Sequence, residues 1–240
     1  AERWCPRRFG VGADGLLALD PSDDDEVDYR MRYVNADGSW AAMCGNGARC
    51  LARFALAADF DEPELTFETD AGRYHAAEVE GAPDRIRLYV PAATRLSRDA
   101  PIESAVPQAV HFIHTGTEHL VTFVSDLESV PVEEWAPPLR NDSRMQPKGA
   151  NVNFVEVTDD GILHVRTYEK GVEAETMACG TGVLAAAAVA EATGRVDEDP
   201  ITVHTQGGTL SVGTAATSRG EERYLEGPVV TVFRGSLQAS

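Results

Sequence analysis

The sequence predicts an α/β fold of the α+β kind, built from two related halves, each a mostly antiparallel sheet around one buried helix. Three observations lead there. Short segments of alternating apolar and polar residues, bounded by turn residues, recur through the 240 residues and read as antiparallel strands. Two segments, 48–60 and 183–193, are instead rich in Ala and Leu and long enough for roughly three helical turns. Both are apolar on nearly every face, which buries each within its own sheet. The same element, Cys-Gly-x-Gly, precedes both helices, at Cys44 and at Cys179, 135 positions apart. That is the mark of a duplicated half-domain.

In the first half, 28–34 is a strand leading into Asn35-Ala36-Asp37-Gly38-Ser39, a turn by its Asn, Asp and Gly content. Strands follow at 65–69, 74–79 and 85–90. The second series runs 110–114, 119–124, 152–157 and 162–167, then 201–204, 209–212 and 229–233. Gly194 is placed to stop the second helix. The halves are expected to part near 101–107, giving 1–104 with 229–240 and 105–228, with 229–237 returning to the first half.

At 43% hydrophobic residues the chain can bury a core, which excludes wholesale disorder. Its longest apolar run, 183–190, is eight residues, and a membrane helix needs about 20. Residues 1–5 carry no signal-peptide pattern, so a cytoplasmic protein is expected. Acidic residues outnumber basic ones 39 to 21, a net charge of −18 that disfavours binding to nucleic acid. Lys148 and Lys170 are the sole lysines, and an acidic, lysine-poor surface fits adaptation to high salt. Neither lysine lies in a phosphate-cradling context, so pyridoxal phosphate, held elsewhere as a lysine Schiff base, is not expected. No cofactor is expected at all. The four cysteines show no Cys-x-x-Cys spacing, which argues for reduced thiols and against a metal site. The acidic stretch 20–26 lacks the Gly and Glu of an EF-hand loop and reads as solvated.

A cysteine at the mouth of a helix meets unpaired N–H groups and the positive end of the macrodipole, a setting that favours thiolate. The same N–H groups bind a carboxylate, and flanking glycines let the backbone approach it. Two such elements, facing each other, define a reaction. A thiolate on one side of a substrate's α-carbon removes its proton, and a thiol opposite supplies another, inverting the centre. The helix ends stabilise the charge that develops on the α-carboxylate.

The segments Asn35-Ala36-Asp37-Gly38-Ser39 through Met43-Cys44-Gly45-Asn46-Gly47-Ala48-Arg49 and Glu169-Lys170-Gly171 through Cys179-Gly180-Thr181-Gly182 resemble the two catalytic motifs of the diaminopimelate epimerases. Arg8 through Gly15 and Asn151-Val152-Asn153-Phe154 match further stretches, so the likeness covers nearly the whole chain. It implies two pseudo-symmetric halves with the active site in the cleft between them, and a homodimer. It also implies pyridoxal-phosphate-independent interconversion of LL- and meso-diaminopimelate, toward lysine and peptidoglycan. Carried over by position, Cys44 and Cys179 are the acid/base pair. Gly45, Asn46, Gly180 and Thr181 grip the reacting α-carboxylate. Asn35, Asn151, Glu169 and Lys170 read the distal amino-acid end. His119 either supports a cysteine or the substrate, or is bonded within the fold.

Against the family pattern, a first strand with Gly-Asn-Asp-Phe is expected upstream of these residues. Lys170 stands where Arg is usual, a point charge in place of a planar fork. Gly116-Thr117-Glu118-His119 stands for Gly-Asn-Pro-His. One extra residue separates Glu169 from Cys179. Asp14 and Asp37 are expected to be structural, and Cys50, at apolar helical spacing, to lie in the core. Three alternatives remain: a proline racemase-like enzyme, a non-catalytic homologue, and a redox sensor that joins Cys44 to Cys179. The first would leave the Glu169-Lys170 pair nothing to bind.

Overall fold

A computed structural model describes residues 1–58, 63–102, 106 and 108–236. The chain divides into two compact units, Ala1–Leu88 with Gly227–Ser240, and Tyr89–Glu226. Of the link expected at 101–107, residues 103–105 and 107 lie outside the described residues, as do 59, 60 and 237 at the expected ends of two segments.

The first unit contains β1 (Gly15–Asp20), β2 (Tyr29–Asn35), β3 (Trp40–Ala41), α1 (Gly45–Leu56), β4 (Glu64–Thr69), β5 (Gly72–Val79) and most of β6 (Ala82–Val90). Its sheet has the order β1-β2-β4-β5-β6, with β3 on β2. β2 and β4 pair in parallel, Tyr29 beside Phe67, and these two rings stack 5.2 Å apart. Parallel neighbours need a long crossover, and α1 is that crossover.

α1 is not buried all round, as its composition led us to expect. It buries one face, Ala48, Leu51, Ala52 and Ala55, at i, i+3, i+4 and i+7. Phe54 is 62% exposed, and Cys50, expected in the core, is exposed as well. The reason is rotational: at 100° per residue, Cys50 falls outside the arc that the four apolar residues present to the sheet.

The second unit contains β7 (Thr94–Ser97), β8 (Val110–His114), β9 (Glu118–Phe123), α2 (Val132–Arg140), β10 (Asn151–Val157), β11 (Leu163–Glu169), β12 (Ala174–Thr176), α3 (Gly180–Ala192), β13 (Ile201–Thr205), β14 (Gly208–Thr217) and most of β15 (Gly220–Pro228). The sheet order is β15-β14-β13-β11-β10-β9-β8-β7. Most pairs are antiparallel, but β9 with β10 and β11 with β13 run parallel, bridged by α2 and α3. Alternate residues serve opposite faces. Val121, Val155 and Val165 pack with α3, while Leu120, Val152 and Phe154 join Val132, Ala136 and Leu139 of α2.

α3 is the buried helix that the sequence predicts, an alanine-rich rod within its sheet. Gly194 ends it in the left-handed region at φ +67°, with Arg195 N–H donating to the Ala190 carbonyl and Gly194 N–H to that of Glu191. This is the Schellman pattern. No described helix is long and apolar enough to cross a membrane.

Candidate active site

Both cysteines of the repeated element are helix N-caps in extended backbone, Cys44 at φ −141°, ψ 114° and Cys179 at φ −115°, ψ 110°. Each helix then opens on the following glycine, Gly45 or Gly180. The cap position ordinarily favours a side-chain oxygen that accepts a backbone N–H. At Cys44 the sulfur does this, accepting from Gly47 N–H at 3.4 Å. Glycine is needed at the third helical position for packing rather than for ligand approach. A Cβ on Gly47 would sit 3.0 Å from Leu17 Cδ2, and one on Gly182 would sit 2.4 Å from Asn153 Oδ1. Gly45 by contrast would tolerate a Cβ, which would meet Leu88 Cδ2 at an ordinary van der Waals distance of 3.9 Å.

In the first unit, the neighbour of Cys44 that sequence reading missed is Tyr33. Burial, with the charge of Cys44 adding to it, pushes its phenol up to about 12. Gly15 on β1 makes room for this ring, since a Cβ there would come 2.5 Å from Tyr33 Cε2. Asn46 is fixed by Arg49, whose Nη2 donates to Asn46 Oδ1 at 3.0 Å and whose Nη1 reaches the Gly45 carbonyl at 3.4 Å. With that oxygen occupied, the amide N–H₂ of Asn46 is the end suited to a carboxylate. Asn35 lies in its turn, Nδ2 donating to Ser39 Oγ at 3.0 Å. Asp37 is structural, as expected, accepting from Ser39 N–H and Oγ–H.

In the second unit Cys179 is 6% exposed, and its sulfur is 3.4 Å from the Thr181 hydroxyl. Burial, reinforced by the adjacent Glu169 carboxylate, pushes its thiol up to about 12. Glu169 accepts from the Thr176 hydroxyl at 2.5 Å. Thr181 is anchored through its carbonyl, which accepts from Thr115 Oγ1 at 2.8 Å.

His119 is wholly enclosed. Asn153 Nδ2 lies 3.1 Å from its Nδ1 and Asn151 Nδ2 3.5 Å from its Nε2. Burial, and after it the charge of Lys170, drives the imidazole down to about 3, so it is neutral at physiological pH. Asn151 Oδ1 accepts the Lys170 N–H at 2.9 Å. Asn153, which carried no expected role, ties the cluster to α3: its Oδ1 accepts from Thr167 Oγ1 at 3.0 Å and abuts Gly182. Thus Asn151, His119 and Lys170 come together, and Thr181 stands at Cys179, whose thiol feels the Glu169 charge. Among the described residues no group of three or more His, Cys, Asp or Glu side chains is arranged to hold a metal ion.

Solved structures of low sequence identity share this fold. A hydroxyproline epimerase from Agrobacterium vitis superposes with TM-score 0.68 at 19% identity, over 95% of this chain and 75% of that one. A phenazine biosynthesis protein of the PhzF family from Bacillus anthracis gives 0.67 at 17%, over 91% and 82%. Closer in sequence is diaminopimelate epimerase of Methanothrix thermoacetophila, 42% identical over 96% of this chain and 82% of its own length. That of Aquifex aeolicus is 39% identical, over 97% and 83%. The family described as diaminopimelate epimerase matches residues 1–88 and 111–232. The chain belongs to the diaminopimelate epimerase family.

Proposed function

We propose that this chain interconverts LL- and meso-diaminopimelate, with Cys44 and Cys179 exchanging the α-proton from opposite faces of the carbon. The observation that carries this reading is the pair of cysteine N-caps, one in each unit, in matching backbone conformations. One sulfur takes the proton as general base while the other delivers one as general acid. The N–H groups at Gly45, Asn46, Gly180 and Thr181 hold the α-carboxylate, on which negative charge grows as the proton leaves. Glu169 takes the Cys179 proton when that sulfur must serve as the base, a different task from reading the distal end. Asn35, Asn151 and Lys170 read the distal end, and neutral His119 holds Asn151 in place.

The proline racemase-like alternative leaves Lys170 without a substrate group to bind. In D₂O the enzyme is expected to incorporate deuterium at the α-carbon of LL-diaminopimelate as the meso form appears, measured by NMR. Turnover of proline with none of diaminopimelate would reverse the assignment.

We further propose a cytoplasmic homodimer, in keeping with the family resemblance, and adaptation to salt on the strength of the −18 net charge. Exposed ion pairs such as Arg7–Asp14 contribute little, so screening of the net self-repulsion dominates. The melting temperature is expected to rise from low to molar salt, with a dimer by light scattering. An unchanged melting temperature would count against salt adaptation, and a monomer against the dimer.

A further inference from the structure

Arg49 is a buried cation one turn into α1, with 5% of the residue exposed. A helical side chain leans back toward the N-terminus of its own helix, and this one reaches the first turn. Its Nη1 donates to the Gly45 carbonyl at 3.4 Å and its Nη2 to Asn46 Oδ1 at 3.0 Å. Both acceptors are neutral. Among the described residues no carboxylate pairs with Arg49. The chain has 39 acidic residues, so scarcity does not explain this.

A guanidinium enclosed beside neutral partners costs stability. Burial accordingly draws its pKa down, Cys50 and then Cys44 oppose this as anions, and Arg85 adds a like charge. The counter-charges of Arg49 within the fold are thus two sulfurs. That of Cys50 is protonated at neutral pH, because desolvation pushes its thiol up. Cys44 is the N-cap of α1, directly before the carbonyl that Arg49 holds, and its sulfur is the one the reaction needs as a thiolate. Tyr33 of β2, which feels both Cys44 and Asp14, is itself neutral at that pH, and Asp14 is paired with Arg7 at 3.1 Å.

We propose that Arg49 is a positioning residue with two actions at the mouth of α1: its charge favours the Cys44 thiolate, and its fork turns the Asn46 amide N–H₂ toward the α-carboxylate. This rests on the reading that Cys44 and Asn46 serve the reacting carbon. A guanidinium performs both actions at once. Its planar fork fixes two acceptors, while its delocalised charge still acts on the sulfur through a poorly screened interior.

Two substitutions separate the actions. Arg49→Met removes the charge and the fork, and Arg49→Lys keeps the charge without the fork. Iodoacetamide labelling of Cys44 at pH 7 reports the thiolate and needs no substrate. Glutathione in the same tube is the standard, because Cys50 also feels Arg49. Deuterium exchange into diaminopimelate gives kcat and KM, and a circular dichroism melt checks folding. Arg49→Met is expected to slow Cys44 labelling about tenfold, and to lower kcat/KM by about 10- to 100-fold. Arg49→Lys is expected to label Cys44 within about threefold of wild type while raising KM about tenfold, the loss of one well-placed hydrogen bond. Unchanged Cys44 labelling in folded Arg49→Met overturns the charge role and leaves Arg49 a packing residue. Labelling slowed about tenfold in Arg49→Lys, which keeps the charge, overturns that role too, even if Arg49→Met fails to fold. An unchanged KM in Arg49→Lys overturns the action through Asn46. Labelling that responds as expected in an enzyme that exchanges no deuterium would support the coupling of Arg49 to Cys44 and remove the epimerase reading instead.

Discussion

Cys44→Ala and Cys179→Ala are each expected to abolish epimerisation of diaminopimelate, lowering kcat by at least about a thousandfold, within the range for loss of general acid–base catalysis. The two substitutions should not add. Removing the base leaves the opposing acid nothing to protonate, and removing the acid leaves the carbanion to collapse back onto the thiol that formed it. The double variant should therefore be no worse than either single one by more than the assay's scatter. Each alanine is small enough for its cap, so both variants should fold. The cost in stability is one weak cap bond at Cys44, and at Cys179 a contact with the Thr181 hydroxyl. Deuterium exchange and a circular dichroism melt, run on the same samples, distinguish lost chemistry from lost structure. If either variant epimerises at the wild-type rate, the acid/base role of that cysteine is gone. A non-catalytic or redox role for the fold would then be preferred.

The parts of this architecture legible in the sequence are those encoded locally. α3 announces itself through an unbroken alanine-rich run with a glycine stop, and Cys179 through the glycines that follow it. α2 does not. Pro137 and Pro138 fall within it and read as a break, yet the helix is short and Asn141 N–H still finds the Pro137 carbonyl at 3.1 Å. Strand direction was equally hidden. Alternation records which face a residue serves, not the direction of its neighbour, so three parallel pairs among the described residues went unread.

At the site, the cysteines, Asn46, Asn151 and Lys170 stand in recognisable motifs, but their partners lie elsewhere in the chain. Tyr33 meets Cys44 because Gly15, on a different strand, leaves space for its ring. Glu118 meets Lys170 across 52 positions of sequence. Contacts of that kind depend on sheet register, and no local pattern carries them.

Alkylation should expose an asymmetry between the two sulfurs. The Cys179 thiol, pushed up to about 12 by burial and then by the Glu169 carboxylate, is almost entirely protonated at neutral pH. A displacement of about five pH units leaves a thiolate fraction on the order of 1 in 100,000, and only thiolate reacts. Cys44 is half-buried, with Gly47 N–H donating to its sulfur. Iodoacetamide at pH 7, followed by peptide mass mapping, should therefore label Cys44 well before Cys179, with exposed Cys50 as an internal standard. The sign of the Glu169 effect follows from charge. A carboxylate beside a thiol raises the energy of the thiolate, so Glu169→Gln lowers the Cys179 pKa and speeds its labelling, about tenfold for each unit of fall. Epimerisation should nonetheless slow in that variant, because the amide cannot accept the proton that Cys179 must lose when it acts as base. Faster labelling together with slower turnover is the combination that a merely structural Glu169 would not produce. Labelling of Cys179 at the rate of Cys44 in the wild type would instead mean that its thiol is not held protonated, and that Glu169 has no proton to receive.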